Sequence, residues 1–311
     1  MSLSIQHVGK QYRGYDTPAL KDFTLDLGPG ILGLLGPNGA GKSTLMRIIA
    51  TITKPSQGTV LWNGVDICEK PDVIRKELGY LPQDFGVYPN LNADEFLHYM
   101  AVIKGVDPRA ARERIEDLLA FVNLLEARKR PLGDYSGGMK QRIGIAQALL
   151  NDPKILIVDE PTVGLDTEGR IRFRHLLAEL AGERVVILST HIVSDVEATA
   201  NDIVIINKGH LINRSSPEKL LQTVEGKIWD WVIPSSELPV VKQKHLLSSI
   251  IRQKEGLHLR VVAETNPARE AQLVSSPTLE EAYLYCISTL REVGVALIHY
   301  TCFSPLCGQV F

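Results

Sequence analysis

The stretch 36–43 reads GPNGAGKS and fits the spacing G-x-x-x-x-G-K-[ST]. Glycines at 36, 39 and 41 let the backbone turn tightly and aim successive N–H groups inward, which makes a nest for an anion. Lys42 adds a point charge for β- and γ-phosphates, and the Ser43 hydroxyl is placed to ligate Mg²⁺. With Gly36, Pro37, Asn38, Gly39, Ala40, Gly41 and Thr44 the loop has the chemistry to grip a nucleoside triphosphate. A second group lies far along the chain. Asp159 and Glu160 close the apolar run 155–158, so two acids emerge at the carboxyl end of a buried strand, where open α/β sheets place their ligands. Paired acids there are costly without a cation or a partner. His191 ends another such run, 185–188, after Ser189 and Thr190, and suits phosphate sensing. Ser136, Gly137 and Gly138 open a helix, with Ser136 as its N-cap and two glycines that let a ligand approach the helix end.

These residues need elements to position them. The run 31–35 reads as the strand feeding the glycine loop, and Leu45, Ile48 and Ile49 mark one face of the helix leaving it. Strands are expected over 3–8 and 23–27, with a polar loop between them. Tyr12, directly after the first strand, is preferred to Tyr15 as an aromatic that stacks on a base. Asn63-Gly64 marks the turn of a hairpin over 58–67. A short strand, 78–82, ends at Gln83. From 84 to 135 the pattern turns helical: Asn92-x-x-Glu95 is a capping box, and Asp107-Pro108 supplies an N-cap and an N1 proline. A helix over 167–180 follows the turn that contains Asp166, another is expected over 192–200, and a strand over 203–207 precedes a Lys208-Gly209 turn. Alternating strands and helices predict a mostly parallel sheet covered on both faces. Beyond 221 the character changes to a small α+β unit, with strands over 228–233 and 257–262, a helix over 245–252, and a last helix capped by Thr278-x-x-Glu281.

Composition narrows the class. The 311 residues are 44% hydrophobic and 23% charged, with a net charge of −2. That is ordinary globular usage, and the balance argues against bulk attraction to nucleic acid. Cys68, Cys286, Cys302 and Cys307 have no CxxC spacing, so neither zinc nor a disulfide framework is indicated. No apolar run approaches the roughly 18 to 20 residues of a membrane span. Any membrane partner is therefore expected to be a separate polypeptide.

Taken as a set, the motifs resemble those of ATP-binding cassette (ABC) transporter ATPase subunits over about residues 2–220. GPNGAGKST (36–44) is similar to the family's Walker A motif, ILIVDE (155–160) to Walker B with its glutamate, and YSGGMKQR (135–142) to the signature motif. Gln83, Asp166, His191 and Tyr12 match the Q-loop, D-loop, switch-histidine and base-stacking positions. Tyr135 and Met139 depart from the family's usual leucine and glutamine. The resemblance implies a P-loop NTPase-type α/β fold over 1–221, with a helical subdomain at about 84–150, an extension over 222–288 and a tail over 289–311. It also implies ATP and Mg²⁺ as ligands. Ser43, Asp159 and Gln83 would hold the metal, Glu160 would be the general base, and His191 would contact the γ-phosphate. Ser136, Gly137, Gly138 and Asp166 would serve the ATP of a second subunit in a homodimer. A separate multi-span permease would receive the motion, at the cytoplasmic face of a membrane. The stretch 189–211 and the C-terminal SPTLEEAYLY (276–285) resemble exporters of drugs, antibiotics or polysaccharides. The rival reading is a soluble ABC ATPase acting on DNA, ribosomes or cluster assembly. The insertion lacks sustained heptads, and no second GKST appears, which disfavours it.

Overall fold

A computed structural model describes residues 1–162 and 165–292. The chain begins with strands β1 (Leu3–Lys10), β2 (Leu20–Leu27) and β3 (Gly30–Leu35), then helix α1 (Lys42–Ile49). Strands β4 (Gln57–Trp62) and β5 (Val65–Asp66) form the expected hairpin, with Asn63 and Gly64 at φ of 50° and 81°. Positive φ at both central residues matches the right-handed twist of the flanking strands. Helix α2 (Asp72–Arg75) and strand β6 (Leu78–Leu81) follow, and then the helices α3 (Ala93–Ile103), α4 (Pro108–Phe121) and α5 (Gly137–Leu149). The Asn92 capping box forms in both directions, and Asp107 accepts from the N–H groups of Arg109 and Ala110.

Strand β7 (Ile155–Asp159), helix α6 (Thr167–Ala181), strand β8 (Val185–Thr190), helix α7 (Val193–Glu197) and strands β9 (Asp202–Asn207) and β10 (His210–Ser215) complete the nucleotide-type sheet. Its order is β10-β9-β3-β8-β7-β6, parallel throughout except for the β9–β10 edge. The runs that read as continuously apolar in sequence divide between two cores. Ile155, Ile157, Val185, Ile187, Val204 and Ile206 face α1 and an antiparallel sheet of order β2-β1-β4-β5. Leu156, Val158, Val186, Leu188, Ile203 and Ile205 face the helices on the other side. Alternation with both faces covered is why these strands carry no polar face.

The helical stretch is tied to this body by α5. Lys104, at the end of α3, donates to Asn151 Oδ1 at 2.9 Å, and burial pushes its ammonium down from the usual 10.5 to about 8. Between those values the folded chain binds fewer protons than the unfolded chain, so stability rises with pH across about 8 to 10.5. Lys104→Met is expected to abolish that rise, measured as the urea midpoint compared at about pH 7 and about pH 9.5.

A last group comprises helix α8 (Pro217–Gln222), strand β11 (Ile228–Ile233), helix α9 (Leu238–Lys244), strands β12 (Leu246–Gln253), β13 (Gly256–Val262) and β14 (Gln272–Leu273), and helix α10 (Leu279–Glu292). The expected helix over 245–252 is instead strand β12, paired antiparallel with β13. Apolar residues at 246, 247, 250 and 251 imitate helical spacing. The register shifts between Leu247 and Ser249, so a bulge resets the alternation and the pattern reads falsely. The expected 192–200 helix is shorter, as α7, and the helix capped by Thr278 and Glu281 forms as expected. It carries the chain to Glu292, past the expected start of the tail at 289. Cys302 and Cys307 lie outside the described residues. Among the described residues no helix is long and apolar enough to cross a membrane.

Candidate nucleotide site

Parallel pairing puts the carboxyl ends of β3, β8, β7 and β6 side by side at one end of the sheet. The glycine loop leaves β3, His191 leaves β8, Glu160 leaves β7, and Gln83 lies just past β6. A cleft of about 950 Å³ opens there, lined by Asn38, Gly39, Ala40, Gly41, Lys42, Ser43 and Thr44, with Tyr12, Gln83 and Glu160. Gly36 is buried and Pro37 exposed, and neither is among the residues lining the cleft. The Gly36 and Pro37 carbonyls accept from Lys42 Nζ at 2.6 and 3.4 Å. A side chain at Gly36 has no room, because its Cβ would lie 2.3 Å from the Ile206 carbonyl oxygen.

Glu160 is held from three sides. Its backbone takes φ of 50°, and its N–H donates to the Ser189 carbonyl at 2.8 Å. A left-handed glutamate costs about 1 to 3 kcal/mol and persists only where its surroundings over-determine it. Its carboxylate lies 3.5 Å from Lys42 Nζ, accepts from the Thr190 hydroxyl at 3.4 Å and lies 2.8 Å from His191 Nδ1. A carboxylate only accepts, so Nδ1 carries the proton of that bond. Lys42 and Glu160 are each 6% exposed, whereas His191 is 46% exposed at its side chain. The histidine expected on the γ-phosphate is thus anchored on Glu160.

Asp159 and Ser189 pair across the β7–β8 step, and both Asp159 Oδ1 and Ser189 Oγ are buried without a hydrogen-bond partner. An acceptor in that state fits a cation or a bound water. Among the described residues no group of three or more His, Cys, Asp or Glu is placed to hold a metal. Ser43 and Gln83 line the cleft, and the unpartnered Asp159 Oδ1 sits at the end of β7.

Tyr12 and Tyr15 both line the cleft. Tyr12 is half-buried, its OH 3.5 Å from Thr44 Oγ1 and its ring under Lys10 Nζ at 5.1 Å, whereas Tyr15 is 69% exposed. Lys21, Arg47 and Lys208 also line the cleft and were missed in the sequence. They come from β2, α1 and the β9–β10 turn, and no local motif marks them.

Ser136, Gly137, Gly138 and Asp166 lie elsewhere. They line a second cleft of about 400 Å³ with Gln141, Arg142 and residues of α6. Ser136 Oγ caps α5 by accepting from Met139 N at 3.3 Å, and Asp166 caps α6 by accepting from Gly169 N at 2.8 Å. The two clefts share no lining residue. Tyr135, the departure from the usual leucine, is 4% exposed and donates from its OH to the Ala127 carbonyl at 2.8 Å. The larger side chain is therefore satisfied in the core and leaves the Ser136 cap in place.

Residues 20–163 match the family model described as ABC transporter. The ABC transporter ATP-binding protein YxlF of Bacillus subtilis is 34% identical over 250 residues, covering 80% of this chain and 82% of that protein. YbhF of Escherichia coli, a probable multidrug ABC transporter ATP-binding protein, is 31% identical over 292 residues. That alignment covers 86% of this chain and 50% of YbhF, so this chain spans half of that relative's length. A dimeric structure of the ATP-binding cassette MJ0796 in a post-hydrolysis state, bound to ADP and Pi, is similar in fold. Its TM-score is 0.63 at 26% identity, covering 69% of this chain and 98% of that one.

Proposed function

The chain belongs to the ATP-binding proteins of ABC transporters, ATPases by activity, and from that premise we propose that it works as a homodimer with two shared ATP sites. The observation that carries this reading is the separation of the clefts. The phosphate loop, Glu160 and Gln83 line one, while Ser136, Gly137, Gly138 and Asp166 line another. A single protomer cannot bring both to one nucleotide, and two protomers facing each other can. The glycine loop and Lys42 hold the phosphates, and Tyr12 takes the base. Ser43, Asp159 and Gln83 hold Mg²⁺, which when bound neutralises charge developing on the phosphate oxygens. Glu160 accepts the proton of the attacking water. His191 keeps Glu160 oriented and contacts the γ-phosphate.

Alternation between open and closed dimers drives a separate membrane permease, which keeps the protein at the cytoplasmic membrane face. The region after Gln83 supports such docking: Tyr88, Pro89, Asn90, Leu91 and Tyr99 line a groove of about 410 Å³, and Val102 and Ile103 nearby are exposed. Export is the proposed direction, in line with the multidrug name of the YbhF relative.

Mixed dimers test the shared site. Lys42→Ala and Ser136→Arg should each be inactive alone. Mixing the two proteins is expected to restore hydrolysis, because one of the two sites then combines an intact loop with an intact Ser136. Absence of any recovery in verified mixed dimers means that each chain serves its own nucleotide.

A further inference from the structure

Glu160 and His191 come from neighbouring strands, and each is followed by a segment that leaves the sheet. After Glu160 the chain turns through Pro161 and Thr162, and after His191 it enters α7. The two segments meet in the interior. Thr162 Oγ1 donates to Asp195 Oδ2 at 2.6 Å, and the two residues are 0% and 2% exposed. A carboxylate removed from water is retained only against compensation, and a hydrogen bond to a charged acceptor at this length is of the stronger kind. Neither residue lines the phosphate cleft.

Helix α7 has only five residues, too few to hold its own place, and its neighbours set its position. Val196 rests on Gly33 of β3, where a Cβ would lie 2.3 Å from Val196 Cγ1. Helix α10 of the C-terminal group also packs against α7.

We propose that Asp195 is a positioning residue for hydrolysis: through Thr162 it locks the turn after Glu160 to the helix after His191, so that the two groups move as one body. The proposal rests on the reading of Glu160 as the base. It also gives α10, and with it the C-terminal group, a physical route to the hydrolysis site through α7.

The test uses the full chain and four variants: Thr162→Val, Asp195→Ala, the two combined, and Thr162→Ser. Rates are counted per ATP-binding site, which removes any misfolded fraction. Thr162→Val and Asp195→Ala should each lower kcat by about tenfold to a hundredfold, the loss expected when a catalytic group is slightly misplaced. KM for ATP should stay within about twofold, because uniform binding is untouched. The combined variant should lose no more than the worse single one, since both remove one interaction. Thr162→Ser, which keeps the hydroxyl, should retain kcat. An unchanged kcat in Thr162→Val, additive losses, or equal losses for valine and serine at 162 would each overturn the proposal. Full turnover by Glu160→Gln would instead remove the base assignment beneath it, and that variant is measured separately.

Discussion

Glu160→Gln is expected to bind ATP as the native chain does and to lose hydrolysis by about a hundred- to ten-thousandfold, the contribution of a positioned general base. Glutamine keeps the shape of the side chain, and its amide oxygen can still accept from His191, with the amide NH2 then in the place of the oxygen beside Lys42. The left-handed backbone and the bond to the Ser189 carbonyl do not depend on the carboxylate. What disappears is the capacity to take a proton from water. With hydrolysis blocked, ATP should hold two chains together, because the state that releases them is no longer reached. Phosphate release and the elution volume with and without ATP measure both effects. Turnover close to native would remove Glu160 from the chemistry.

Lys42→Ala is expected to fail at an earlier step. Each charge-assisted bond from its ammonium to a phosphate is worth about 1.5 to 3 kcal/mol, so ATP affinity should fall by roughly ten- to a hundredfold. The structure adds a second consequence. Lys42 and Glu160 are both 6% exposed and 3.5 Å apart, so removing the lysine leaves a buried carboxylate with only His191 and the Thr190 hydroxyl beside it. Breaking one partner of a buried pair costs about 3 to 5 kcal/mol, and the loose geometry here places the expectation at the lower end. The nucleotide-free variant should therefore unfold at lower urea. Adding Glu160→Gln removes the stranded charge and should recover most of that stability without restoring ATP affinity. Recovery of both, or of neither, would contradict the assignment of two separate roles to Lys42. Equilibrium unfolding and binding of a fluorescent ATP analogue separate the outcomes.

The loop 36–43, the acids at 159 and 160 and the histidine at 191 were legible because each follows a strongly apolar run. Such runs become strands buried on both faces, and chemistry placed after them falls at strand ends. Caps were legible for a similar reason: Asn92, Asp107, Ser136 and Thr278 satisfy donors within three residues, so no distant contact competes. Strand β12 was misread because a bulge at Leu247–Ser249 disguises a period of two as a helical one. Lys21, Arg47 and Lys208 were invisible. A lysine in a strand or a turn has many local uses, and only folding carries these three to the same cleft.

Residue types and spacing alone thus determined that the chain grips a triphosphate, carries acids at a strand end and opens a helix with a small-residue cap. These are local properties, set within a few residues by backbone geometry and charge. Pairing order was decided only in three dimensions. Side-by-side β3, β8, β7 and β6 bring Lys42, Glu160, His191 and Gln83 to one end of the sheet. The placement of Ser136 and Asp166 in a different cleft was decided there too, as was the buried bond between Thr162 and Asp195. Each depends on contacts between residues tens of positions apart, whose free energy comes from burial shared across the whole domain rather than from any one segment.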